Sequence, residues 1–159
     1  MKTIFDTINN EFFKVQESDK KEFIESISRR SFEIFEKQYP DDTIIKKYKD
    51  ILKRNDKKEI KKYKNDLYDL AISNIRTSHK IYAGSFDRAY AASYSIYTIF
   101  EIMEWILTQD YNISRVIENY IFAECYNAAS EKDFSESTYI KKNGMNNMLE
   151  KLKIYQRRI

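Results

Sequence analysis

Glycine and proline are almost missing from this chain: two glycines and one proline in 159 residues. Few breakers remain, and apolar residues recur at spacings of three and four, which predicts helices and no sheet. Cysteine is just as scarce. Cys125 stands alone, so no intramolecular disulfide can form, which fits a reducing compartment. With a single histidine, His79, any Ser–His or Cys–His scheme must pass through it. No run of about 18 apolar residues occurs, so no membrane span is expected. Polar residues interrupt the apolar positions of "MKTIFDTINNEFF", so no signal peptide is expected either. These absences predict a cytoplasmic globular protein.

Aromatic residues are plentiful instead. Thirteen tyrosines and ten phenylalanines, with an apolar fraction of 42%, exclude a disordered chain. The length suits one helical domain over residues 1–159. The apolar pattern predicts seven helices, at 2–17, 20–38, 42–54, 57–82, 87–108, 114–130 and 145–158, with 131–144 as the loosest connection. The expected inward stripes are Ile4, Phe5, Ile8, Phe12 and Val15, then Phe23, Ile27, Ser31, Ile34 and Phe35, then Ile44, Ile45, Tyr48, Ile51 and Leu52. The fourth helix should turn in Ile60, Tyr63, Leu67, Leu70, Ile75, Ile81 and Tyr82, and the last Met145, Met148, Leu149, Leu152 and Tyr155. Helix 87–108 is apolar around most of its circumference and should be the central helix of an antiparallel bundle. Its Ala89, Ala92 and Ser93 should admit a neighbour closely.

Local chemistry places the boundaries. Asp19 is a candidate cap with Glu22 behind it, Asp56 and Glu59 form a second candidate pair, Ser114 a third cap, and Gly84 a left-handed stop. Pro40 cannot continue a helix and pushes Tyr39 out of the α region. Asp41 or Asp42 then offers a carboxylate to the free N–H groups of the next helix. "YPDD" therefore reads as a helix stop followed by a helix start, and no catalysis is needed to explain it.

No constellation of catalytic residues stands out. A Cys125–His79 pair is conceivable, but Cys125 more simply packs as a small apolar residue. Glu101, Glu104, Glu118 and Glu124 lie on neighbouring helices, but a bundle metal site requires histidines beside them, so no metal is expected. The same glutamates read more simply as solvated than as an acid–base pair. Gly84 and Gly144 are too far apart for a phosphate loop, so no cofactor is expected. The chain reads as a non-enzyme.

Charge is segregated along the chain. Residues 46–64 carry ten Lys/Arg against three Asp/Glu, while 86–131 carry two Arg against seven acids. Lys57, Lys58, Lys61, Lys62 and Lys64 share one side of a helix and are candidates for binding nucleic-acid phosphates. Asp87, Glu101, Glu104, Asp110 and Glu118, with Trp105 and Tyr111, are candidates for gripping a basic partner protein. A faint echo links "AYAASYSIY" and "IFAECYNAAS", as alanine-rich packing helices would.

The run "SFEIFEKQYPDDTIIKKYKDIL", followed by the alanine-rich "DRAYAASYSIY", resembles a family of small all-helical immunity proteins found beside bacterial polymorphic toxins. Phe35, Glu36, Tyr39, Pro40, Asp41 and Asp42, then Ala89, Ala91 and Ala92, carry the likeness. The later helices of that family are richer in alanine and carry several histidines, where this chain has Tyr, Ile and Ser. The resemblance implies a protein that binds one cognate toxin and blocks it without catalysis. A phage-encoded inhibitor of a bacterial defence system would need the same features.

Overall fold

The computed structural model describes residues 3–81, 86–108, 113–130 and 134–157, with side chains for all of these except 72–81, 86 and 134–143. Among the described residues the chain is all-α: α1 (Ile4–Phe13), α2 (Glu17–Gln38), α3 (Ile45–Arg54), α4 (Lys57–Ile81), α5 (Phe86–Thr108), α6 (Ser114–Ala129) and α7 (Phe134–Arg157). None of these helices is long and apolar enough to cross a membrane.

As the apolar pattern predicts, α5 lies at the centre, packed against α2, α4 and α6. It runs antiparallel to all three. Its N-terminal half meets the C-terminal half of α2, where Ala91 packs with Ile34 and the Arg88 guanidinium donates to the Gln38 carbonyl. Further along, Ile102 shares a cluster with Phe23 and Ile27 from the other end of α2. On α4, Ala71 faces Ser93 while Lys64 faces Glu104. On α6, Tyr126 faces Tyr90 and Phe122 faces Tyr94.

Small residues make these approaches possible. Ala89, Ala91, Ala92, Ser93 and Ser95 are all buried. The Ser93 hydroxyl donates across the seam to the Ala71 carbonyl at 2.9 Å, so the closest contact with α4 is also a hydrogen bond. Ser95 and Thr98 donate back to the carbonyls one turn earlier, at 2.8 and 2.7 Å, so each buried hydroxyl is satisfied. Two larger clusters flank the seam. One joins α1, the start of α2, the end of α5, α6 and α7 around Ile8, Phe12, Phe23, Ile117 and Leu152. The other joins the end of α2 to α3, α4 and α5 around Phe35, Ile51, Ile60, Leu67 and Ile99.

The "YPDD" junction behaves as its residues require. Tyr39 leaves the helical region (φ −133°, ψ 70°) while its N–H still bonds the Phe35 carbonyl at 2.9 Å. Asp42 accepts from the Ile44 N–H at 3.1 Å, and α3 follows from Ile45 rather than from 42. Ile44 consequently sits outside the helix and 46% exposed, not inward as expected. The end of α2 is held by the other segment of the family-like pattern. Arg88 bonds Gln38 and stacks 5.2 Å from the Tyr39 ring centre.

Several expected boundaries are corrected. Helix α1 ends at Phe13, short of 17, because Val15 is buried and turns the chain inward. Its start is a capping box that the spacing of Thr3 and Asp6 encodes. Helix α2 therefore begins at Glu17, and Asp19 lies buried inside its first turn instead of capping it. Asp56 does accept from the Lys58 and Glu59 N–H groups at 2.9 and 3.4 Å. Glu59, however, is held by Arg54 at 2.7 and 3.0 Å rather than completing the box. Ser114 is the first helical residue of α6, not its cap; Asn9 of α1 accepts from the preceding Ile113 N–H at 2.7 Å. The largest correction is α7, which begins at Phe134, inside the stretch expected to be loose. Gly144 lies within this helix, where a Cβ would come 3.0 Å from Ile121 of α6. Close packing there compensates for the poor helix propensity of glycine. Gly84, Tyr82 and the side chains of Ile75 and Ile81 lie outside the described residues.

Ala91 is fully buried against Ile34 and Ala123. Ala91→Leu would force α5 away from α2 and α6 and should destabilise the protein by about 1–3 kcal/mol. The expected readout is a lower urea midpoint with an unchanged slope; an unchanged midpoint would mean that the seam is loosely packed.

Candidate partner-binding surface

When alanines and serines line the inner side of α5, its tyrosines must go elsewhere. Tyr90, Tyr94 and Tyr97 follow helical spacing and share a stripe, as do Phe122 and Tyr126 on α6. Because α5 and α6 run antiparallel, these stripes meet. Tyr94 stacks on Tyr126 with ring centres 5.6 Å apart and planes 3° from parallel. Tyr94 also packs on Phe122 at 5.2 Å, and Tyr90 on Tyr126 at 5.1 Å. The band continues through Tyr97 to Tyr68 of α4 at 5.6 Å, and on to Phe100 at 5.6 Å. Seven rings from three helices thus form one connected surface. Tyr68 is 44% exposed and the others are half-buried.

The echo between the two alanine-rich segments acquires a physical meaning here. Its alanines, Ala91 and Ala123, pack together beneath, and its aromatics, Tyr90 and Tyr94 with Phe122 and Tyr126, pair above. Sequence inspection singled out Trp105 and Tyr111 as aromatic anchors and passed over this band. The signal was present in the spacing of Tyr90, Tyr94 and Tyr97, but only the antiparallel pairing of α5 with α6 joins it to Phe122 and Tyr126.

Carboxylates border the rings. An open groove of about 340 Å³ runs between α5 and α6, lined by Tyr94, Tyr97, Glu101, Arg115, Glu118, Asn119 and Phe122. Glu101 and Glu118 have no hydrogen-bond or ion-pair partner among the described residues. Burial raises the Glu101 pKa; Arg115 opposes this and Glu104 adds to it. Removal from water, with contributions from neighbouring phenols and from Glu118, raises the Tyr94 pKa. Burial likewise raises the Tyr126 pKa, with smaller contributions from Tyr90 and Asp87. The phenols therefore stay neutral at physiological pH and present hydroxyls beside negative charge.

The other expected residues are distributed differently. Glu104 pairs with Lys64, which joins a member of the expected acidic set to a member of the expected basic set. Lys64 also lies 5.6 Å from the Phe100 ring centre. Trp105 continues the α5 stripe one turn past Glu101, but Phe12 of α1 takes it edge-on at 6.1 Å, so it serves the core. Asp110 and Tyr111 lie outside the described residues. Lys57, Lys58, Lys61 and Lys62 are exposed along α4. Beside them, the Tyr63 ring is flanked by Lys47 at 3.9 Å and Lys62 at 5.1 Å, which hinders stacking on a base.

Glu124 is engaged internally. Arg30 grips it at 2.9–3.2 Å through two nitrogens, and the Tyr120 hydroxyl donates to it at 3.1 Å. This cluster borders a second cavity of about 360 Å³, floored by Phe23, Ile27 and Met148. Cys125 is buried, and the His79 side chain lies outside the described residues. No group of three or more metal-ligating side chains gathers among the described residues. Comparison with protein-family models, curated proteins and solved structures finds no match to this chain.

Because the folded state raises the Glu101 pKa, folding is penalised wherever this carboxylate is ionised. The penalty is complete above the folded pKa and vanishes below the ordinary value of 4.5. Glu101→Gln should therefore raise the urea midpoint at neutral pH and lose that advantage in acid. An equal gain at both pH values would show that ionisation is not the cause.

Proposed function

We propose that this chain is a non-catalytic inhibitor that binds one protein partner stoichiometrically, and that it acts in the bacterial cytoplasm as an immunity protein neutralising a toxin. The observation that carries this reading is the connected band of seven half-exposed rings bordered by Glu101 and Glu118, which have no hydrogen-bond or ion-pair partner among the described residues. Aromatic rings supply large contact area at little entropic cost and dominate the binding energy of protein interfaces. Carboxylates at the border favour a basic partner and speed its encounter. A half-buried acid without a partner burdens the free protein, and such burdens gather at functional sites.

The family resemblance points the same way. Its two segments meet where Arg88 seals the end of α2, so they act as scaffold, and the binding surface lies on the helix faces that this scaffold presents. A toxin that works on an anionic substrate would offer a basic site to such a surface. Blocking it requires shape and charge alone, with no cofactor or metal.

The test is affinity purification of the tagged chain from its native host, followed by mass spectrometry and expression of what is retained. One protein at equal stoichiometry, toxic when expressed alone and harmless with the chain, is the expected result. Charge reversal at Glu118 should then weaken binding at least about tenfold, or about 1.4 kcal/mol. A retained protein that belongs to a defence system would move the function to phage counter-defence. Recovery of salt-released nucleic acid with no protein would reject the reading and assign function to Lys57, Lys58, Lys61 and Lys62.

A further inference from the structure

Within this chain, cations repeatedly settle where an aromatic ring stands beside an oxygen acceptor. Arg88 lies 5.2 Å from the Tyr39 ring centre and donates to the Gln38 carbonyl. Lys64 lies 5.6 Å from Phe100 and pairs with Glu104. Lys20 lies 5.8 Å from Phe12 and 5.6 Å from Phe13 and pairs with Glu17 at 3.1 Å. In each case the ring face attracts the charge, the oxygen fixes it, and partial burial strengthens both interactions.

The groove between α5 and α6 offers the same chemistry, with Arg115 on its wall as its one cation among the described residues. Tyr94, Tyr97 and Phe122 supply the rings, and Glu101 and Glu118 supply the acceptors. Among the described residues, no lysine or arginine lies over Tyr94 or Tyr97, and neither carboxylate is paired. Arg115, on the groove wall, is exposed and partly offsets the charge of Glu101. With two carboxylates against one arginine, the groove keeps a net negative charge.

We infer that this groove is a receptor for a guanidinium group, filled by an arginine side chain of the protein partner. The inference deepens the reading of the chain as a protein-binding inhibitor and rests on it for the source of the arginine. Guanidinium suits the groove better than ammonium. It is planar, stacks on tyrosine faces, sheds water more readily and can bridge two carboxylates with a fixed fork of donors. The groove's volume of about 340 Å³ accommodates such a group together with part of its aliphatic stem.

The experiment is an NMR titration of the full-length chain with a blocked tetra-arginine peptide, with tetra-lysine in parallel. Ring resonances of Tyr94, Tyr97 and Phe122 should shift saturably with tetra-arginine and more weakly with tetra-lysine. In the double variant Glu101→Gln/Glu118→Gln, affinity for tetra-arginine should fall at least about tenfold. Circular dichroism and the urea midpoint of this variant report that it folds. Should it fail to fold, the single variant Glu118→Gln, at an exposed position, replaces it, and a smaller loss of the same kind is expected. Shifts confined to other residues, equal binding of tetra-lysine, or undiminished binding by the variants would each overturn the inference. Loss of the arginine response alone, with a toxin still captured, leaves the inhibitor reading standing. An arginine response with no protein partner leaves the groove standing and rejects the inhibitor.

Discussion

The distances at which α2, α4 and α6 approach α5 govern the rest of this structure. Ala91 against Ala123 and Ile34, and Ser93 against the Ala71 carbonyl, leave no room for large side chains between the helices. Close approach of this kind gains dispersion contacts and excludes water. It also makes each helix's large residues face either the two flanking clusters or the surface. The aromatic band is therefore the outer side of the same packing solution. The small residues define the seam, and the tyrosines at successive turns cover it.

That arrangement separates two kinds of surface chemistry. Along α3 and α4, several charges are engaged by the chain itself, Arg54 with Glu59, Lys49 with Glu36 and Lys47 over Tyr63, while Lys57, Lys58 and Lys61 stand exposed. Exposed pairs such as these add little stability, but they occupy the groups involved. On the α5–α6 side, Glu101 and Glu118 stand beside rings with no hydrogen-bond or ion-pair partner among the described residues, Arg115 offsetting Glu101 only at a distance. What distinguishes the α5–α6 side is the combination of these carboxylates with a connected band of rings, and this gives the band its functional reading. Neither the net charge nor the block charges along the chain express it, because Lys64 and Glu104 come from opposite blocks and cancel each other locally.

Much of the architecture was legible. The scarcity of glycine and proline, together with three-and-four spacing, identified an all-helical protein. The continuous apolarity of 87–108 identified its central helix, and Pro40 identified the junction after α2. Where expectation failed, the deciding contact was remote in sequence or the local signal ambiguous. Asn9, more than a hundred residues away, accepts from the Ile113 N–H just before α6, and Ser114 is the first residue of the helix rather than its cap. Buried Val15 ends α1 early, and Gly144, which reads as a breaker, lies within α7 against Ile121. Trp105 is half-buried against Phe12 of α1, a contact that its own helix cannot reveal.

Local composition and spacing by themselves determined that this protein is helical, where its main junction falls, and which residues share a face of each helix. Those properties depend on backbone sterics and on a short-range period, both of which a linear sequence contains. Tertiary structure alone decided which faces meet. It brought the stripe of Tyr90, Tyr94 and Tyr97 against Phe122 and Tyr126, paired Glu104 with Lys64, and set Glu101 and Glu118 at the edge of the band. The physical reason is that an aromatic contact or an ion pair depends on separation in space, and helix direction and crossing distance set that separation for residues far apart in the chain.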